Sequence, residues 1–393
     1  MLSTFVLNRG KTLLMASIAL ATLGNVAQAA EIKLPETTLT ASLRTSMVST
    51  NYETSPDAMD FSLNSLSFYV NGKITDNVKF SFSSEINSSE AMTVQDAIAQ
   101  FEFSPTMNIW MGRFLAPTDR ANSYGAYFSN NWNFATDGTQ DGYPFITFGR
   151  ADGVAYWGDF ADTKLKISAG LFDVPSTKVD MSTGVNTNDN ADKIMTAARV
   201  QYDFWDAEPG YYINGTYLGE KDILAVGVAM NSVDGNSTTN VDFLMEKKVA
   251  GGGAFTIEGE YIKYDKLGGY DGNFASGDGY YLLGSYLFPQ TVGIGKIQLL
   301  AKFGTATFED GIVPGKDSYL DISTGVPVVI PAVAAVSAAD YEQDTAEFNV
   351  NYIIKSFNAK MSLFVKDTTF SDSAPANKED NTQIGIGVQL MTL

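Results

Sequence analysis

The chain has 393 residues, 45% of them hydrophobic and 12% aromatic, with 45 acidic against 26 basic groups and a net charge of −19. It contains no cysteine and no histidine, which excludes disulfide scaffolds, thiolate metal sites, iron–sulfur clusters and every catalytic arrangement built on an imidazole base. The acidic balance also works against a nucleic-acid partner, whose phosphates it would repel.

The first predicted element is a processing signal. Arg9 and Lys11 are the only charges in the first thirty residues, an apolar stretch runs from Leu13 to Leu23, and Ala27-Gln28-Ala29 forms a small-residue cleavage site. This order is that of a secretory signal peptide, and the apolar run is well short of the roughly 20 residues that a membrane-spanning helix needs. Cleavage after Ala29 is expected. It removes Arg9 and Lys11 and takes the net charge from −19 to −21.

The remainder of the chain reads as strands. Leu39, Ala41, Leu43, Thr45 and Met47 alternate with Thr40, Ser42, Arg44 and Ser46. Further along, Val78, Phe80 and Phe82 alternate with Lys79, Ser81 and Ser83, and Leu165, Ile167, Ala169 and Leu171 with Lys166, Ser168 and Gly170. Thr196, Ala198, Val200 and Tyr202 alternate with Arg199, Gln201 and Asp203, and Leu224, Val226, Val228 and Met230 share one face. The same period of two carries Phe255, Ile257 and Tyr261 against Thr256, Glu258 and Glu260, then Leu299, Ala301 and Phe303 against Gln298 and Lys302. Near the end, Met361, Leu363 and Val365 stand against Lys360, Ser362 and Lys366. Each segment has one apolar and one polar face, the pattern of a strand exposed to two different media. The best remaining candidate for an apolar helix, between Asp321 and Asp340, is interrupted by Pro327 and Pro331.

Alternation alone does not separate a soluble sandwich from a transmembrane barrel. Three further features point to the barrel. An exported chain this large has no cysteine. Aromatic residues stand at strand ends, as in Phe68-Tyr69, Phe101/Phe103, Tyr202/Phe204 and Tyr286/Phe288, where interfacial girdles lie. Short turns such as Thr75-Asp76-Asn77 and Ser104-Pro105-Thr106 alternate with long polar stretches. The expected fold is therefore all-β: a single transmembrane antiparallel β-barrel over residues 30–393, of about sixteen strands, with eighteen the neighbouring even count. A barrel of that width leaves an aqueous lumen.

The stretch Asp96-Ala97-Ile98-Ala99-Gln100-Phe101-Glu102-Phe103, with Met111-Gly112-Arg113-Phe114-Leu115-Ala116-Pro117 after the turn, resembles the phosphate-selective porin family of Gram-negative outer membranes. Arg150-Ala151-Asp152-Gly153-Val154-Ala155-Tyr156-Trp157-Gly158 and Ser168-Ala169-Gly170-Leu171-Phe172-Asp173 resemble it too. The resemblance implies a sixteen-stranded trimeric porin with its third loop folded into the pore. It also implies a lumen rich in Arg and Lys, but beyond Ala29 this chain has only Arg44, Arg113, Arg120, Arg150 and Arg199 as arginines. Its charge points instead to general diffusion or a weak preference for cations.

Arg44, Arg199, Lys302 and Lys366 fall on polar faces and are expected to line the pore, as are Glu85, Glu102, Glu258 and Glu260. Arg113 and Arg150, also expected at the pore lining or constriction, flank the long segment 116–149, which carries eight aromatic residues and has no strand pattern. Disordered loops are poor in aromatics and long ordered loops are usually functional, so this segment is expected to fold into the barrel and narrow it, with Asp119 and Arg120 at the constriction. Asp137 to Gly142 and Asn186 to Asp192 are rich in oxygen ligands without matching a calcium-loop spacing, and Gly251-Gly252-Gly253 reads as a turn. The functional expectation is a non-enzymatic outer-membrane channel for small hydrophilic solutes and ions, working as a homotrimer in lipid without metal or cofactor. The competing reading is a structural sheath around a partner such as an electron-carrying haem protein.

Overall fold

The computed structural model describes residues 36–87, 91–133, 150–173, 178–180, 185–187, 193–266, 274–313, 319–321, 328–330 and 336–392. The chain divides into two compact units, residues 1–37 and 38–393, and the second is a closed antiparallel sheet. Its strands, in chain order, are β1 (Glu36–Tyr52), β2 (Ala58–Lys73), β3 (Val78–Ile86), β4 (Met92–Ser104), β5 (Met107–Leu115), β6 (Arg150–Phe160), β7 (Leu165–Asp173) and β8 (Ile194–Asp203). They continue with β9 (Ile223–Val233), β10 (Asn236–Val249), β11 (Gly253–Asp265), β12 (Phe274–Val292), β13 (Gly295–Val313), β14 (Tyr341–Lys355), β15 (Ala359–Phe370) and β16 (Asn381–Met391).

Each strand pairs with its chain neighbours, and β1 pairs with β16 from Ser42 opposite Met391 to Tyr52 opposite Asn381, which closes the ring at sixteen strands. The even count and the up-and-down order are those of a transmembrane barrel. Closure leaves no free sheet edge, so the backbone donors and acceptors of the wall find partners on neighbouring strands. Among the described residues no helix is long and apolar enough to cross a membrane, and helix is confined to the short α1 (Arg120–Tyr124) and a single 3₁₀ turn at Ala126–Phe128.

The period-2 pattern sets the orientation of the wall. Val200, Val226, Val228, Leu282, Leu363 and Ile384 are among the large apolar side chains that stand exposed on the outside. A continuous exposed apolar surface of this kind belongs in lipid. Aromatic pairs border it, with Tyr202 against Phe204 and Tyr286 against Phe288 at ring separations of 4.9 Å each.

The two ends differ. At one end six connections have only two to four residues: 74–77, 105–106, 161–164, 250–252, 293–294 and 356–358. The seventh connection at that end, 204–222, is far longer. The opposite end carries the other long connections, including 116–149. Residues 204–222 and 118–133 both turn inward, and together they occupy much of the barrel.

Candidate functional site

The interior is built by two inward segments lying on the polar face of the wall. The first leaves β5, where Asp119 caps α1 by accepting from the backbone N–H of Asn122 at 2.8 Å. From there the segment crosses to the far wall and bonds to one strand after another. Tyr124 donates to Glu258 on β11 at 2.7 Å, and Tyr127 meets Ser65 on β2 at 2.5 Å. Lys360 on β15 donates to the Ser129 carbonyl at 3.0 Å, Asn351 on β14 to the Asn130 carbonyl at 3.1 Å, and Gln389 on β16 to the Tyr127 carbonyl at 2.9 Å. Trp132 ends the run: its N–H donates to Asn349 at 3.0 Å, its carbonyl accepts from Arg44 at 2.7 Å, and the Arg44 guanidinium lies 4.1 Å from its ring centre. The indole fits because position 387 is glycine, where an added Cβ would stand 2.3 Å from the ring.

The second segment, 204–222, enters from the end with short turns. Tyr211 and Tyr212 seat on an apolar patch inside the barrel formed by Trp110, Phe114 and Phe172, with Trp110 and Tyr211 rings 4.7 Å apart and the Tyr211 hydroxyl donating to the Leu115 carbonyl at 2.7 Å. Glu246 on β10 anchors the other half by accepting from Thr216 at 2.6 Å, from the Tyr217 N–H at 3.0 Å and from the Gly219 N–H at 2.7 Å.

The two segments meet. Arg120, fully buried, donates from Nη1 to Glu208 Oε1 at 3.0 Å and from Nη2 to Glu208 Oε2 at 2.5 Å, and also to the Asn214 carbonyl at 2.9 Å. The Gly215 N–H donates to the Phe128 carbonyl at 3.1 Å. Burial drives the Glu208 carboxyl upward, but the Arg120 charge and the hydrogen bonds from Arg120 and Tyr217 outweigh it and hold the group below the ordinary glutamate range. Asp119 goes the other way: burial raises it, and the bonds from Asn122 and Thr118 recover only part.

This geometry redistributes the residues that the sequence assigns to the pore. Arg44, Arg199, Glu258, Glu260, Lys302 and Lys366 face inward but are buried, between 0% and 8% exposed. Arg199 pairs with Asp242 at 2.5 Å, and Lys302 lies 4.4 Å from the Tyr281 ring centre. Neither oxygen of Glu260 accepts a hydrogen bond. Asp119 and Arg120 are buried between the segments rather than open to a passage. Glu102 lies towards the end with short turns, held by Lys79 at 2.5 Å and by the Trp110 indole N–H at 3.1 Å. Glu85 accepts from Ser67 at 3.2 Å, and Arg150 pairs with Asp96 at 3.0 Å; all three keep contact with solvent.

Arg113 is a correction. It stands on the outward face with Ile109 and Met111, 45% exposed, paired at 2.7 Å with Asp152 directly opposite on β6. Trp110 and Phe114 take the inward positions of that strand, so the pore-lining role expected for Arg113 is not available to it. The expectation of a wide aqueous lumen is also modified, because the chain's own segments cover most of the inner wall. They also take the space that the sheath reading would give to a folded partner. Of the calcium candidates, 137–142 and 188–192 lie outside the described residues, and among the described residues no three carboxylates gather to hold a metal ion.

Sequence reasoning missed Glu208, Tyr211, Asp242 and Glu246. The signal was present: 204–222 carries Phe204, Trp205, Tyr211, Tyr212 and Tyr217, an aromatic density like that of 116–149.

No protein-family model matches the chain, and no curated protein matches its sequence. Solved structures do resemble the fold. OprB of Pseudomonas putida at high pH shares 8% identity over 91% of this chain and 94% of its own, with a TM-score of 0.60. An anion-selective porin from Comamonas acidovorans shares 13% over 91% and 99%, with a TM-score of 0.51. OmpT of Vibrio cholerae, an outer membrane protein in a trimer form, shares 13% over 92% and 100%, also at 0.51. At these identities the likeness is one of fold.

Proposed function

We propose that the chain is an outer-membrane porin, a non-enzymatic channel through which small hydrophilic solutes and ions diffuse passively. One observation carries the reading: the protein is apolar outside and largely polar and charged inside, the inverse of a soluble domain, around a closed ring of sixteen strands. Export by the signal peptide, cleavage after Ala29, insertion with the short turns towards the periplasm, and assembly as a homotrimer complete the proposal.

Glu85, Glu102 and Arg150 are the sequence-assigned residues that line the route. Carboxylates in a narrow passage favour cations and guanidinium groups favour anions. With acidic groups in excess, the channel prefers cations modestly and is not a phosphate filter. The test is reconstitution of purified protein in a planar bilayer. Discrete conductance steps with a reversal potential displaced modestly towards the cation value support the reading. A silent bilayer overturns the channel, and strong anion selectivity overturns the charge argument.

A further inference from the structure

The connection 204–222 is out of proportion to its end of the barrel, where the other six connections have two to four residues. It is also held firmly. Tyr211 packs tilted against Trp110, Glu246 receives three hydrogen bonds from it, Lys166 donates to the Glu208 carbonyl at 2.6 Å and bonds the Gly210 carbonyl, and Arg120 grips Glu208 from the other segment. Ring packing, buried charge and backbone bonds of this number fix a segment rather than leave it to swing.

The consequence is asymmetric. On β10 to β16 the inward side chains are sealed: Glu246, Glu258, Asn349, Asn351, Ser362 and Gln389 are all 0% exposed. On β2 to β4 and the start of β6, Ser65, Ser67, Ser83 and Gln95 are buried as well, but four larger inward side chains still meet water. Tyr69 and Glu85 are half-buried, Arg150 and Asp96 have 25% and 14% of their side chains exposed, and Tyr212 of the inward segment is 37% exposed. The Tyr212 ring lies tilted against Trp110, 5.7 Å between centres, and within electrostatic reach of both Asp96 and Arg150.

We propose that 204–222 is a fixed partition which, joined to 118–133 through Arg120 and Glu208, closes the β8–β16 side of the barrel, so that the aqueous route runs off-centre along β2–β4 past Tyr212, Glu85, Asp96 and Arg150. The route's assignment to permeation rests on the channel reading; the partition itself does not.

The chain lacks cysteine, so single cysteines report accessibility without background. Tyr212→Cys and Glu85→Cys mark the route, and Ser362→Cys, nearly isosteric, marks the sealed wall. Each is labelled in the folded, membrane-inserted barrel with a charged, water-soluble methanethiosulfonate reagent, folding being checked by heat-modifiable migration. The expected result is labelling at Tyr212→Cys and Glu85→Cys at least tenfold faster than at Ser362→Cys. Should one route variant not fold, the other carries the comparison. Equal rates at all three positions, or faster labelling at Ser362→Cys, overturn the partition. A barrel that labels as expected but passes no current keeps the partition and removes the channel reading. A barrel that conducts but labels uniformly does the reverse.

Discussion

Arg199 on β8 reaches Asp242 on β10 across an intervening strand, because the β9 residue between them is Gly227. The guanidinium lies over the glycine, where an added Cβ would stand 2.2 Å from Nη2, and it donates to Asp242 through both Nη1 at 2.5 Å and Nη2 at 2.8 Å. From there Arg199 also holds the Thr118 carbonyl at 3.0 Å, so one buried pair ties three wall strands to the root of the first inward segment.

The Gly227→Val substitution therefore removes no charge, yet is expected to displace the guanidinium and leave Asp242 with a weakened partner. Breaking a buried pair costs about 3–5 kcal/mol. A clear fall in the urea midpoint of the inserted barrel is expected for Gly227→Val, and no greater fall when Arg199→Met is added to it. Full additivity of the two changes would show that they act independently.

Arg120 lends itself to a parallel test, with a different outcome from a constriction residue. It is fully buried against Glu208 and Asp242, so Arg120→Gln takes from Glu208 its buried cation and leaves Asp242 to Arg199 alone, without touching the water route. A stability loss of about 3–5 kcal/mol is expected, with little change in reversal potential in barrels that still insert. A large selectivity change at unaltered stability would return Arg120 to the constriction that the sequence suggested for it.

Most of the wall was legible and most of the interior was not, for a physical reason. Side chains such as Val228 and Leu363 meet lipid at every second position, so a local period of two states their environment outright. Arg113 could have been placed the same way, because Ile109 and Met111 share its face. The interior depends on contacts between residues far apart in sequence, such as Lys360 with the Ser129 carbonyl or Glu208 with Arg120, and no local pattern encodes those. Counting parity would have helped: 204–222 follows an even-numbered strand, so its length falls at the end where turns are short.

Acid should loosen the junction of the two inward segments in a defined window. Glu208 is held below its ordinary value of 4.5 when folded, so its contribution to stability is present above that value and is lost as pH falls through the lower, folded one. Conductance is expected to stay level from neutral pH to about pH 5 and to rise or turn noisy only in stronger acid. The Glu208→Gln variant, which lacks the titrating group, should lose this acid response. An onset above pH 5, or an unchanged response in Glu208→Gln, would assign the effect to another group.

Removing residues 124 to 145 should open the barrel. The described part of that stretch covers Glu258 through Tyr124, Gln389 through Tyr127, Asn351 through Asn130 and Asn349 through Trp132. Deleting it uncovers a polar wall that water readily solvates, so the barrel, whose sixteen-strand hydrogen bonding is untouched, is expected to assemble. Conductance should then rise severalfold, because the new opening lies on the β11–β16 side and adds to the route along β2–β4. Replacing 204–222 by a three-residue turn should raise conductance as well, and the two changes together should exceed either alone. The wider lumen should also discriminate less between cations and anions, since charges facing bulk water act through a higher effective dielectric than charges in a narrow gap. If the 124–145 deletion leaves conductance unchanged in barrels that migrate as folded, the segment does not limit the pore. The limit would then lie in the wall around Glu85, Asp96 and Arg150.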